Sequence, residues 1–255
     1  MSFQQLAEEY GGFLKSIGIE DIDILRIETQ IESWKDWSIY GTIDTVAKWY
    51  LEQQVNCTMQ ISNIPLESCR DWYLDAADGY IKHKTGDFFY VQGVRIGQSG
   101  SREVGSAGWD QPILTQVGFN GGLLGLLRKK FDGIPHYLIE AKAEPGNPDK
   151  VQISPTLQAT FSNLKKAHGG KKPRFAEYFE TPEQMGSKVL FDQWMSEDGG
   201  RLHLKKNRGM LVEVTEDTEF DIPLSFQWLS LYQLKYFIKK NSWVNPHVRG
   251  IISHL

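Results

Sequence analysis

The stretch His136–Gly170, HYLIEAKAEPGNPDKVQISPTLQATFSNLKKAHGG, decides how the rest of the chain is read. It opens on an apolar run in which Glu140, Lys142 and Glu144 fall at every second position, the spacing that places side chains on one face of a strand. Its second half carries the start and stop signals of a helix. Ser154 stands as N-cap, Pro155 at the first helical position and Gly169 just past the end, with Leu157, Phe161 and Leu164 as the apolar face. Immediately upstream, GLLGLLRKKFDGIP reads as a strand running into a hairpin turn at FDGIP.

Working outward, the first ~70 residues are expected to be mostly helical. TVAKWYLEQQV has apolar residues at mixed three- and four-residue spacing, and a capped helix is expected from Pro65 in PLESCRDWYL. DFFYVQGVRI and QPILTQ are strand-like runs bounded by turn residues. Downstream, KVLFDQWMSEDGG reads as a strand entering a loop. RLHLKKN and GMLVEV read as paired strands about a turn at Asn207, Arg208 and Gly209, and WLSLYQLKYFIKK as a final amphipathic helix with Trp228, Leu231 and Leu234 in the core. Strands mixed with helices over this length imply an α/β or α+β domain built on a mixed sheet.

Composition narrows the function. The 255 residues include 28 Lys+Arg against 32 Asp+Glu, a net charge of -4, and 40% hydrophobic side chains. That is enough to bury a core, and the balance argues against a nucleic-acid partner, which needs a basic face. Two cysteines, Cys57 and Cys69, are too few for a stapled secreted fold and point to a reducing, cytoplasmic compartment. Neither a signal peptide nor a membrane-spanning run is read in the chain. The glycines Gly118, Gly121, Gly122 and Gly125 do not make the G-x-G-x-x-G fingerprint, and no Walker lysine follows them. No histidines stand at helical i, i+4 spacing, His136 is read as structural, and the G-x-S-x-G elbow is absent. General acid–base groups and electrostatics, with no metal and no cofactor, are the expected means of catalysis.

The segment HYLIEAKAEPGN, followed by QISPTLQATFSN and HGG, resembles the sugar nucleotide 2,3-dehydratases of deoxysugar biosynthesis. WMSEDGGRLHLKKNRGMLVEV is similar to that family's S-E-x-G, K-x-N-R-x-M and V-E-V elements. GYIKHKTGDFFYVQGVRI, WDQPI and FQWLSLYQLKYFIKKNSWVNPHVRGII fit it as well. The resemblance runs from near Gly79 to the end. It implies a Nudix-like sandwich of mixed sheet and helices, without the hydrolase's metal site. Gly146 leads into Gln158, Thr160, Ser162 and Asn163, which are hydrogen-bonding groups and not the carboxylates that Mg²⁺ needs. On this resemblance the chain is expected to divide into an N-terminal helical arm over 1–75 and a Nudix-like dehydratase domain over 76–255.

The implied reaction removes water from a dTDP-4-keto-6-deoxyhexose. C3 loses a proton, C2 loses its hydroxyl, and the resulting enol relaxes to a 3,4-diketo-2,6-dideoxy sugar. The candidate catalytic residues are Glu144 as acid or base, Lys142 as partner of the pyrophosphate or the enolate, and Glu197 as a second carboxylate on a loop. Lys205, Lys206 and Arg208 form a basic cluster around Asn207 suited to the diphosphate. Trp109 and Gln111 suit stacking on and hydrogen bonding to the thymine, and Asn245 is a further ligand contact. Known members of the family carry two such modules in one chain and this sequence has one copy of each motif, so a homodimer is expected. A non-catalytic sugar-nucleotide-binding subunit and a 4-keto-sugar isomerase or epimerase on the same scaffold are the alternatives.

Overall fold

Three helices open the chain in the computed structural model, which describes residues 1–20, 22–97, 108–119, 121–164 and 172–255: α1 (Phe3–Ser16), α2 (Ile24–Trp34) and α3 (Ile43–Val55). Strands β1 (Trp72–Leu74), β2 (Ile81–His83), β3 (Phe89–Ile96), β4 (Trp109–Gln116), β5 (Gly122–Phe131), β6 (Ile134–Ala143), β7 (Val151–Pro155) and β8 (Leu157–Thr160) follow. After the short helices α4 (Phe161–Leu164) and α5 (Glu177–Glu180) come β9 (Lys188–Ser196), β10 (Leu202–His203), β11 (Lys206–Val214) and β12 (Phe226–Leu229). Helices α6 (Leu231–Ile238) and α7 (Pro246–Ile252) complete the described order.

The strands form two sheets. One runs β1-β2-β3-β4-β10; the other runs β12-β6-β5-β11-β9, with β7 added on β6 and β8 on β5. The β5–β11 and β4–β10 pairs are parallel among otherwise antiparallel neighbours, so both sheets are mixed, as expected. The hairpin expected at FDGIP joins β5 to β6, and both central residues, Asp132 (φ 50) and Gly133 (φ 74), take the left-handed conformation of a two-residue turn.

Strand β5 is buried on both faces, and its apolar run has no polar alternation until Arg128. Leu124 and Leu126 meet α3 through Val46 and Tyr50, α6 through Leu234 and Phe237, and α7 through Val248 and Ile251. Leu123 and Leu127 face the opposite core with Phe179, Met210 and Trp228. Gly125 is required on that side, because a Cβ there would sit 2.4 Å from the Phe179 ring. Helices α1 and α2 pack on each other through Phe3, Leu14, Ile27 and Ile31. A buried ion cluster fastens them to the sheet. Arg128 Nη2 donates to Glu28 (2.5 Å) and Glu32 (2.9 Å) of α2, and Nη1 donates to Glu213, its register partner on β11.

Four sequence expectations are corrected. The helix expected from Ser154 is instead β7 and β8, and among the described residues of that span only Phe161–Leu164 is helical. Pro155 ends β7 opposite Ile139, and Leu157 and Ala159 alternate inward at period two, so ladder pairing with β6 and β5 overrides the local capping signal. The expected stop at Gly169 lies outside the described residues. The helix expected at Pro65 is a single 3₁₀ turn (Leu66–Ser68), cut off by Asp71 at φ 69 before β1 pairs with β2. The turn expected at Asn207–Gly209 is the interior of the continuous strand β11, while Leu202–His203 belongs to the other sheet. The last amphipathic helix begins only after the Ser230 cap, leaving buried Trp228 on β12, and α7 follows it unanticipated.

Helix α7 is held by Asn245. Its Oδ1 accepts the Val248 amide at 3.1 Å as N-cap, while Nδ2 donates to Ser154 Oγ (2.9 Å) on β7 and Gln158 Oε1 (3.2 Å) on β8. Truncation therefore removes a cap, costing about 1 kcal/mol, and strands buried polar groups, costing about 1–3 kcal/mol more. Urea unfolding of Asn245→Ala is expected to show a loss in that range. Arg128→Met leaves Glu28, Glu32 and Glu213 facing one another without their shared cation. It is expected to cost about 3–5 kcal/mol in the same experiment.

Candidate active-site cleft

The end of β6, strand β8 and the first turn of α7 converge on a cleft of about 540 Å³. Lys142, Ala143 and Glu144 form one wall, Gln158 and Thr160 the next, and Gly122 and Asn207 the floor. Glu197, Lys205 and His247 close the far side. A second lobe of about 440 Å³ adjoins it, lined by Glu140, Arg174, Ser225 and Phe226, and shares Lys142, Gln158 and Asn163 with the first. Glu140, Lys142 and Glu144 thus lie along one edge at period-two spacing, with Lys142 at the junction of the lobes.

Lys142, Glu144, Glu197 and Lys205 are each oriented by a neutral group. Gln158 does so twice, its carbonyl accepting from Lys142 Nζ at 3.1 Å and its Nε2 donating to Glu144 Oε1 at 2.9 Å. Asn207 Nδ2 donates to Glu197 Oε1, and His247 Nδ1 stands 3.7 Å from the same oxygen. Lys205 Nζ donates to Gln116 Oε1 and lies 5.5 Å from the Phe89 ring centroid. Gly122 makes the floor possible, because a Cβ there would meet Asn207 Oδ1 at 2.8 Å and the Ala159 carbonyl at 2.9 Å.

Burial governs the electrostatics. It holds the Lys205 ammonium below the ordinary lysine range, with Glu197 opposing. It also depresses the His247 imidazole, against the pull of Glu197 and Glu144 and with the help of Lys142 and Lys205. In the second lobe burial raises the Glu140 carboxyl, Lys142 opposing and Glu144 adding to the rise. The cleft therefore offers a neutral imidazole, two carboxyl groups and two lysine amines within one water-accessible space. Such a set can move protons and hold an anion.

Of the residues expected at the site, the structure brings together Lys142, Glu144, Gln158, Thr160, Asn163, Glu197 and Asn207. It places others elsewhere. Trp109 and Gln111 sit on β4 of the other sheet, where Trp109 Nε1 donates to Gln111 Oε1 (2.8 Å) and Gln111 Nε2 to the Gly200 carbonyl (2.8 Å). Lys206 lies 5.0 Å from the Trp194 ring centroid, and Arg208 makes a two-pronged pair with Asp192 (2.8 and 2.6 Å). Both flank Asn207 on a continuous strand, so they point to the face opposite the cleft. Asn245 is buried behind Gln158. The Ser162 side chain lies outside the described residues. His247 was not anticipated; its one sequence signal is its place two residues after Asn245 in the family-like segment NPHVRGII. His136 is buried, with Nδ1 on the Ile134 carbonyl and Nε2 accepting the Ile39 amide.

Comparison with known proteins supplies the context. The chain is 35% identical over 221 residues to a dTDP-4-dehydro-6-deoxy-alpha-D-glucopyranose 2,3-dehydratase of Amycolatopsis orientalis, covering 83% of this chain and 44% of that one. It is 36% identical over 207 residues to the enzyme of the same name from Streptomyces violaceoruber, covering 81% and 45%. The chain thus spans less than half the length of these curated relatives. Among solved structures, an ADP compounds hydrolase (TM-score 0.36, 10% identity, 65% of this chain and 83% of that one) and a Nudix hydrolase from M. smegmatis (TM-score 0.33, 12% identity, 64% and 97%) are distant likenesses. The family model for NDP-hexose 2,3-dehydratase matches residues 43–255, which takes in every wall of the cleft, and the chain belongs to that family.

Proposed function

We propose that the cleft removes water from a dTDP-4-keto-6-deoxyglucose, giving a 3,4-diketo-2,6-dideoxy sugar in deoxysugar biosynthesis. The observation that carries this reading is the convergence of Lys142, Glu144 and Glu197 on one cleft, each held by a neutral oxygen or amide. The relatives' names supply the substrate class. The reaction suits such a site because the C4 ketone already acidifies the C3 proton. Proton transfer and stabilisation of an oxyanion are then the whole requirement.

Lys142, at the junction of the two lobes, is the partner of the diphosphate, with the sugar in the larger lobe and the nucleoside toward Arg174 and Phe226. Lys205 is the second cation and the donor for the enolate oxygen. Glu144 protonates the departing C2 hydroxyl. Thr160, Asn163 and Gln158 supply hydrogen bonds to the sugar.

A second copy is the partner in this reading, supported by the exposed apolar residues Val189 and Trp194 of β9, an edge strand that association would cover. The cytoplasm is its compartment, supported by the free thiols of Cys57 and Cys69. Among the described residues no helix is long and apolar enough to cross a membrane.

Incubation with dTDP-4-keto-6-deoxyglucose, followed by mass spectrometry, is expected to show loss of one water. Lys142→Ala is expected to lower kcat/KM by about 10²-fold or more. Binding without mass change marks a non-catalytic binder and solvent deuterium uptake without water loss marks an isomerase; either outcome overturns the dehydratase reading. Sedimentation equilibrium is expected to return twice the 29.2 kDa chain mass.

A further inference from the structure

We infer that His247 carries the C3 proton, with Glu197 as its positioning partner; the inference rests on the dehydratase reading of the cleft. His247 is the one described histidine that lines this cleft. The other described histidines are placed elsewhere: His136 is enclosed by backbone groups, His83 bonds Thr85, His203 stands on β10 opposite Thr115 and does not line the cleft, and His254 stacks on Phe191 at 4.3 Å. The His247 ring is about a fifth exposed, enough to meet a substrate, and its Nδ1 faces Glu197 Oε1 at 3.7 Å. That carboxylate is itself anchored by the Asn207 amide, so base, orienting acid and supporting amide stand in sequence. This is the arrangement by which a carboxylate selects one imidazole tautomer. With Nδ1–H directed at Glu197, Nε2 holds the lone pair that accepts a proton. A separation of 3.7 Å is ordinary for such a pair before a ligand closes the site.

The groups facing His247 are Glu197 from the loop after β9, Lys142 from β6 and Glu144 just past its end, and Lys205 from the segment before β11. Burial outweighs the two carboxylates, so the imidazole is neutral near pH 7 and ready to act as a base.

The protons then balance within the site. Nε2 takes the C3 proton and the C3–H pair enters the C3–C4 bond, leaving an enolate oxygen at C4. The pair returns to form C2=C3 as the C2–O bond breaks, and protonated Glu144 gives its proton to the departing hydroxide, which leaves as water. In ketonisation the His247 imidazolium protonates C2, while the Glu144 carboxylate takes the proton of the C3 hydroxyl. Both groups return to their starting states, and no outside co-reactant is needed.

His247→Gln and His247→Ala are each expected to lower kcat by about 10²–10⁴-fold with little change in KM, and free imidazole is expected to restore part of the His247→Ala rate. Wild-type kcat/KM is expected to fall as pH drops through the imidazole pKa. Glu197→Gln removes the charge that raises that pKa, so its acid limb moves to lower pH while kcat falls. A wild-type chain that dehydrates the substrate, beside His247 variants of unchanged rate and acid limb, overturns this inference and leaves the dehydratase reading standing. A wild-type chain with no dehydration removes both.

Discussion

One side-chain amide, that of Asn245, holds the two walls of the cleft in register. Its oxygen caps the helix that carries His247, and its nitrogen bonds Ser154 and Gln158 on the adjoining strands. Gln158 then sets both Lys142 and Glu144. A buried amide used at both ends has no rotamer to spare, so groups on β6, β8 and α7 move as a unit. The knot is possible because β7 meets the chain before α7 directly: the Asn245 and Ile153 backbones are bonded, and Ile153 bridges Val244. The site's precision is therefore a consequence of sheet packing.

That packing in turn depends on β5, which has no solvent face. Helices α3, α6 and α7 cover one side and Phe179, Met210 and Trp228 the other, so its glycines mark close approaches. At its far end Arg128 exchanges water for three carboxylates, two of them from α2. Such a cluster adds little net stability compared with apolar packing, yet it is costly to break, so its effect is to fix where the first two helices sit.

The sequence was legible where a pattern was local and its tertiary partner agreed. The period-two edge of Glu140, Lys142 and Glu144, the Asp132–Gly133 hairpin and helix α3 are of this kind. It misled where a local signal was captured by distant chain. Ser154 and Pro155 look like a helix start, but Pro155 ends a strand paired to β6 and the Ser154 hydroxyl accepts from Asn245. Lys206 and Arg208 look like an anion site, but strand alternation turns them from the cleft and leaves Asn207 facing it. His247 carries no spacing signal, because Glu197 and Asn207 reach it from other elements.

The way charge is distributed connects the acidic composition with an anionic ligand. Most described cations near a carboxylate are cancelled by it: Arg95 by Asp110, Arg201 by Asp198, Arg208 by Asp192, and Lys82 by Asp75 and Asp78. Lys142 and Lys205 bond neutral oxygens instead, so their charge is oriented without being spent on a local counter-ion. Glu144 and Glu197 are treated the same way, by the amides of Gln158 and Asn207. A direct lysine–carboxylate pair would fill the same space, but it would lower the field available to a diphosphate and tie up the proton-transfer groups. Interposed amides keep the lysines and the carboxyl groups from pairing directly and leave each separately addressable. A protein with a net charge of -4 can in this way present a locally cationic junction to a sugar nucleotide.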